Sequence, residues 1–296
     1  MGKIVGSYGF MTSVRRLSLC IILLSVVASG IGFGQGSLRR PKVELLREID
    51  LEEGKLRLNA FRQMWLEGDF SLKYSLQYIP RRGKRQEIGG TLWSTNSPNG
   101  PISLIQIHTE PETQLFLKNG PFASVSEREV SHDKWEEVKT EQWFEPVDES
   151  VTITPFDLMM PFVYWNEWSY EGVTKVRGRV AHAFLMVAPD DLASNPLGLY
   201  GVVVFLDESF NAMLKADYVT KDEVILKSFR LLDLKKVDGV WLPKTVDFLN
   251  EETRNKTRLI VREAAMNRDF SDLPFSKGVM LGDVPEIPLS EYQPVR

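Results

Sequence analysis

From Phe70 to Tyr78 large apolar residues stand at every second position. Phe70, Leu72, Tyr74, Leu76 and Tyr78 alternate with Ser71, Lys73, Ser75 and Gln77, the period of a strand that turns one face to a core. Pro80–Arg85 (PRRGKR) then makes a turn into a second strand that includes Thr91, Leu92 and Trp93. Further strand runs follow at Ile102–His108, Gln114–Lys118 and Phe122–Glu127, divided by Gly/Asn/Pro clusters. After a break, strands resume at Val173–Val180, Ala183–Val187, Tyr200–Leu206, Ala212–Val219, Val224–Leu234, Val240–Asn250 and Thr257–Ala265. Asp238-Gly239 between two of these is a hairpin signal. Short strands at such spacing read as an antiparallel meander. Only one stretch reads as a long helix, Leu51–Gly68, with Leu51, Leu58, Phe61 and Trp65 on a single 3.6-residue stripe. The fold class is mainly β with a minor helical part (α+β).

Residues 1–34 stand apart. They hold Lys3, Arg15 and Arg16 and no acid, and Leu17–Phe33 is chargeless and mostly apolar. A basic start, a short apolar run and small residues after it describe an export signal, with Met11 as an alternative start. An uncleaved N-terminal anchor is the competing reading, although the run is short for a span and its last third is rich in Gly and Ser. Cys20, the only cysteine, lies early in the apolar run, where it does not suit lipid modification. Cleavage would remove three of 36 basic residues and no acid, leaving 33 against 40, a net charge of −7 instead of −4. A cysteine-free exported chain gains nothing from disulfides and depends on its core.

One insertion interrupts the β rhythm. Thr154-Pro155-Phe156-Asp157 offers an N-cap hydroxyl, Pro at the first helical position and an acid at the third. The helical turn that follows, Asp157–Met160, is closed by Pro161 and continues into Phe162-Val163-Tyr164-Trp165. Nearly every side chain there is large and apolar, so the turn either sits between two layers or covers a greasy opening. Glu129–Glu149, which carries Trp135 and Trp143, reads as a charged, irregular excursion, and the tail from Asp269 as a surface wrap.

Catalytic patterns are missing. The sequence has no G-x-S-x-G elbow, no phosphate-binding G-x-x-x-x-G-K-[ST] loop and no H-E-x-x-H. His108, His132 and His182 are widely separated, so no metal site is expected, and no cofactor. Arg81–Arg85 reads as a charged hairpin tip, and the acidic balance argues against nucleic acid. What the chain has in excess is apolar bulk: seven Trp, eight Tyr and 16 Phe. With so little helix to cover the sheet, either side chains fill the core or a hydrophobic ligand shares it.

The stretch Tyr200–Asn267 carries a resemblance. In order it shows a V-x-F-L-D strand (Val203–Asp207), Lys215-Ala216-Asp217, a long strand (Val224–Lys236), G-x-W-L-P (Gly239–Pro243) and T-R-x-x-T (Thr253–Thr257). This resembles the outer-membrane lipoprotein-sorting protein family, the LolA-like group. Phe156-Asp157-Leu158 and Lys175–Val187 resemble its longer members. The resemblance spans Phe61–Asn267 and implies a strongly curved antiparallel sheet, an incomplete barrel with a helical lid. It also implies a periplasmic carrier of lipid or lipoprotein acyl chains, served by membrane-bound donor and acceptor proteins. On that reading Trp65, Leu72, Tyr74, Leu76 and Tyr78 line the cavity, and Phe156, Leu158, Met159, Met160 and Phe162 form the lid. The arginine that holds the lid in the simplest carriers has no clear counterpart in the sequence. The expected organisation is a signal at 1–34, a linker at 35–50, the lipid-binding domain at 51–268 and an irregular tail at 269–296. An envelope sensor or protein-interaction module on the same fold is the alternative, and an exported hydrolase a third.

Overall fold

In a computed structural model of the chain, which describes residues 38–63, 68–132, 134–192, 195–273, 284 and 286–296, the alternating runs become one large antiparallel sheet. The expected signal at 1–34 and Trp65 lie outside the described residues. The first meander comprises β1 (Asp69–Ile79), β2 (Gln86–Ser97), β3 (Gly100–Ile107), β4 (Thr113–Lys118), β5 (Ser124–Glu129) and the two-residue β6 (Glu136–Glu137). The second comprises β7 (Trp168–Val176), β8 (Arg179–Val187), β9 (Gly201–Asp207), β10 (Met213–Val219), β11 (Ile225–Val237), β12 (Val240–Asn250) and β13 (Lys256–Arg268). Every neighbour is consecutive in sequence except one pair: β1 lies against β13, with Tyr74 opposite Val261 and Leu76 opposite Leu259. The first strand and the last long strand thus close the middle of the sheet, and β6 and β7 are its two edges. The sheet is curved and open.

Strand alternation sorts the side chains. On β9, Val202, Val204 and Leu206 enter the main core, whereas Val203 and Phe205 pack on the other face. The main core takes residues from nearly every strand, among them Tyr74, Leu76, Ile105, Leu115, Phe184, Tyr218, Phe229 and Phe248. We call this the inner, concave face. Helix α1 (Leu51–Gln63) joins it through Leu58, which is fully buried. Asp50 caps the helix by accepting from the backbone of Glu52 and Glu53. Gly54, a weak helix former, is required by packing: a Cβ there would stand 2.6 Å from the Tyr170 ring. Leu51 departs from the expected buried stripe and is exposed, because the helix meets the sheet only from Gly54 onward.

Three other readings change. The run expected as Val173–Val180 is divided by a tight turn at Arg177-Gly178, both at positive φ, so that β7 starts earlier and β8 includes Arg179. Phe122 belongs to a turn and is exposed, not part of β5. The segment expected as a linker is tied along β7 and β11: Leu46 donates to Val173 (2.8 Å), Arg40 to Glu223 (2.8 Å), and the Arg40 guanidinium pairs with Glu171 at 2.8 Å. This strap and the tail cover the outer face. Val43 packs against the Val203–Phe205 patch, Phe270 against Trp93 and Phe116, and β14 (Gln293–Pro294) adds to β13.

Gly90 of β2 faces Tyr74 across the ladder. A Cβ at Gly90 would lie 2.3 Å from the Tyr74 hydroxyl and 2.5 Å from the Gln106 carbonyl, to which that hydroxyl donates. Gly90→Ala should therefore displace Tyr74 and cost about 1–3 kcal/mol, the usual range for overpacking, read as a lowered midpoint in thermal unfolding.

Candidate functional site

The sheet's connectivity creates a structural demand. The chain leaves β6 at one edge and enters β7 at the other, so residues 138–167 must cross the inner face. That crossing segment consists of a 3₁₀ turn (Thr140–Phe144), an extended stretch, α2 (Pro155–Met159) and a second 3₁₀ turn (Pro161–Tyr164). Helix α2 begins as its sequence implies. The Thr154 hydroxyl accepts from the Asp157 backbone at 3.2 Å, and the Asp157 carboxylate accepts from the Thr154 backbone at 2.8 Å, a reciprocal cap. It ends at Met160, whose positive φ of 51° turns the chain into Pro161.

The cover is apolar and inserted. Phe156 and Phe162 are fully buried, and Met159, Val163 and Trp165 nearly so; Leu158 and Met160 are half-buried. Phe156 is the centre of an aromatic cluster. It stacks on Phe144 at 4.7 Å, meets Tyr218 edge-on at 5.6 Å, and stands 6.1 Å from both Phe162 and Trp165. The inner face is thus filled by the protein's own side chains.

Four polar clasps hold the cover to the rest of the protein. Arg62, at the end of α1, donates to the Val163 carbonyl and to the Trp165 carbonyl, both at 2.7 Å. Asn119, in the β4–β5 loop, donates to the Met159 carbonyl. Thr257 of β13 accepts from the Thr152 backbone at 2.8 Å. Lys227 of β11 donates to the Thr152 carbonyl at 2.7 Å and pairs with Asp157. That last pair is buried on both sides, with Asp157 fully enclosed. Burial and the neighbouring Asp157 carboxylate push the Tyr218 phenol well above its usual range. Burial lowers the Arg62 guanidinium somewhat, which still leaves it charged.

The residues expected to line the cavity part company. Tyr74 and Leu76 are buried in the inner core, and Tyr78 packs against it half-buried. Leu72 instead joins Phe70 against a second cluster built from Val237, Leu242, Val261 and Ala264. In the ladder with β13 the register shifts between Lys73 and Tyr74, where Arg262 is the extra residue, and Leu72 stands opposite Ala264, a member of that second cluster. The excursion at Glu129–Glu149 is more than a charged loop, since Trp143 and Phe144 enter the inner core, as do Val151 and Ile153 just beyond it. The adjacent aromatic pair in an otherwise charged run was the available signal. The clasps at Arg62, Asn119, Thr257 and Lys227 have no local sequence signal, because each joins residues far apart in the chain. The basic run Arg81–Arg85 lies at the exposed β1–β2 hairpin tip.

The outer face also carries a cleft of about 670 Å³, lined by Arg40, Lys42, Lys175, Lys215 and Phe205 among others. Its charges are largely committed: Arg40 to Glu171, Lys215 to Asp217, and Asp247 to Arg258. Elsewhere, beneath α1, Glu53, His182 and Glu208 come together as a group able to face a cation. If the Lys227–Asp157 pair fastens the cover, Lys227→Met should destabilise the fold by about 3–5 kcal/mol through the stranded carboxylate. The double change Lys227→Met with Asp157→Asn should recover part of that loss, because an amide oxygen can still cap α2; denaturant unfolding of the two variants tests this.

Solved structures share this architecture. A domain described as an outer membrane lipoprotein-sorting protein domain from Vibrio parahaemolyticus superposes with a TM-score of 0.64 at 16% identity, over 78% of this chain and 97% of that one. A DUF1329 family protein from Desulfovibrio piger gives 0.64 at 14% identity, over 76% and 96%. A LolA superfamily protein from Nitrosomonas europaea gives 0.57 at 12% identity, over 78% and 99%. A family model described only as that of an uncharacterized protein matches residues 180–281. No curated protein matches. Among the described residues no helix is long and apolar enough to cross a membrane. The chain has the LolA-like fold: one large, curved, open antiparallel sheet with few helices.

Proposed function

We propose that this protein is an exported, non-enzymatic carrier that receives lipid or lipoprotein acyl chains on its inner face, beneath a movable cover, and takes part in sorting lipoproteins to the outer membrane. The observation that carries this reading is the construction of the cover. An apolar segment crosses the inner face without joining the sheet as a strand, and is held by a few polar clasps at Arg62, Asn119, Thr257 and Lys227. Such a segment can be exchanged for a ligand while the sheet stays intact. On this reading residues 1–34 are the cleaved export signal and 51–268 the carrier domain. Tyr74, Leu76 and Tyr78 meet cargo, Trp65 is the further lining residue the sequence suggests, and Leu72 packs in a separate cluster. Phe156, Leu158, Met159, Met160 and Phe162 are the part that moves. Membrane-bound donor and acceptor proteins would load and unload it.

The energies are matched. Exposing Phe156, Met159, Phe162 and Val163 costs roughly 6–12 kcal/mol at about 1.5–3 kcal/mol for each side chain. An acyl chain with about 14 methylenes offers about 11 kcal/mol at ~0.8 kcal/mol for each buried CH₂. The apolar terms of cover and cargo are therefore of similar size, the clasps bias the empty protein toward the closed state, and flexible Met159 and Met160 can repack around chains of different shape. The filled interior also supports a second reading, an interaction module whose core is permanent and whose partner is a protein.

Loading separates the two. The mature protein should carry lipid detectable by mass spectrometry and take up a fluorescent acyl probe. Arg62→Ala, which removes both of its bonds to the cover, should speed uptake at least about tenfold, the factor that roughly 1.4 kcal/mol supplies. A chain that recovers no lipid and takes up no probe, with or without Arg62, but captures a defined protein partner contradicts the carrier reading.

A further inference from the structure

His182 is fully buried on β8, between Val173 of β7 and Leu206 of β9. Its ring stacks on Tyr170, and its Nδ1 is 2.8 Å from the Tyr170 hydroxyl. Its Nε2 is buried and meets no hydrogen-bond partner among the described residues. That nitrogen points toward two carboxylates: Glu53 Oε1, from the first turn of α1, at 3.8 Å, and Glu208 Oε1, from the turn after β9, at 4.0 Å. One ligand atom from each of the three residues lies within 4.8 Å of the others. A buried, unpaired imidazole nitrogen facing two acids is an unusual expense for a structural core. The acids are already drawn together by a cation, since Arg47 of the strap reaches Glu208 at 2.8 Å and Glu53 at 2.8 Å.

We propose that Glu53, His182 and Glu208 form a binding site for a divalent transition-metal ion, with Zn²⁺ the best fit, and that Arg47 is the cation the ion displaces. One imidazole and two carboxylates are a borderline donor set, with room for water at the remaining positions. Zinc bonds to nitrogen and carboxylate oxygen run about 2.0–2.2 Å, so the three ligand atoms must close by about 1 Å. Glu53 and Glu208 are about one-third exposed and free to rotate, and Arg47 is exposed enough to swing out. Metal binding takes the neutral ring and an unshared nitrogen lone pair, which the unpartnered Nε2 can offer. With Nδ1 donating to the Tyr170 oxygen, Nε2 presents its lone pair to the ion, and the Tyr170 hydroxyl takes the orienting role of an outer hydrogen-bond partner. Loading would join α1, β8 and the β9–β10 turn, and would release the strap from that junction.

The test is calorimetric titration of the chelator-treated full chain with Zn²⁺, followed by thermal unfolding. The wild type should bind one equivalent and unfold at a higher temperature. Glu53→Gln and Glu208→Gln should each weaken binding by about tenfold or more, in line with losses at metal sites. Arg47→Ala, which keeps all three ligands, should strengthen binding several-fold because the competing cation is gone. Absence of a saturable equivalent overturns the proposal. So does binding that neither glutamine variant weakens, which would place the ion at exposed His108 or His132, and so does binding that Arg47→Ala leaves unchanged.

Discussion

Two meanders that meet at β1 and β13 leave their free edges at opposite sides of one sheet, and a single chain has to connect them. The connecting segment cannot pair with both edges, and it cannot pass over the inner face as a polar loop. Buried backbone groups without partners and a bare apolar sheet would both be costly. Its central part is therefore short-helical and mostly apolar, and it is fastened by polar clasps at Thr152, Asp157, Met159, Val163 and Trp165. The rest of the structure follows from that crossing. Phe144, Phe156 and Phe162 fill the space under it, Tyr218 meets Phe156 from the sheet, and α1 lies beside it so that Arg62 reaches its carbonyls. Lys227 and Asp157 place a buried charge pair where the cover begins. Pairs of this kind do little for net stability but favour one arrangement over others when geometry is good. Here they fix where α2 sits.

Local patterns are legible in the chain itself. The alternation at Phe70–Tyr78 is β1, Asp238-Gly239 does join β11 and β12, and the Thr154–Asp157 cap starts α2 as read. Leu72 shows where period alone stops. Its spacing matches Tyr74 and Leu76, but the register shift against β13 sets it opposite Ala264 in a different cluster, and such a shift depends on the partner strand. Trp143 and Phe144 show a second limit, because a charged neighbourhood suggested a solvated loop while the path between sheet edges required anchors. The clasps were not legible at all. Arg62 and Val163 are 101 residues apart, and Lys227 and Asp157 are 70 apart, so only the folded sheet and the segment that crosses it bring them together.

The outer face serves a different purpose from the inner one. Strap, tail and paired charges cover it, with Arg40–Glu171 and Asp247–Arg258 as fixed examples. Carboxylates such as Asp247 would be raised by burial, but Arg258 and Lys256 more than offset that and hold it below its usual range. Its contribution to stability is therefore present above the ordinary carboxylate pKa and is lost as the pH falls through the lowered one. On the inner face, among the described residues, polar contacts gather at the clasps and at the Arg47–Glu53–Glu208 group beside His182, so on the carrier reading the sheet is the frame and the cover the part that moves.

The central claim is that the cover moves while the sheet holds. Its most direct test is a reversible lock made by Asn119→Cys and Met160→Cys in a chain whose Cys20 is removed with the signal or replaced by serine. Uptake of a fluorescent acyl probe would then be measured before and after reduction. The account predicts that the oxidised protein excludes the probe and that reduction restores uptake. Equal uptake in both states would show that cargo, if bound, enters without displacing the cover, and would contradict the account.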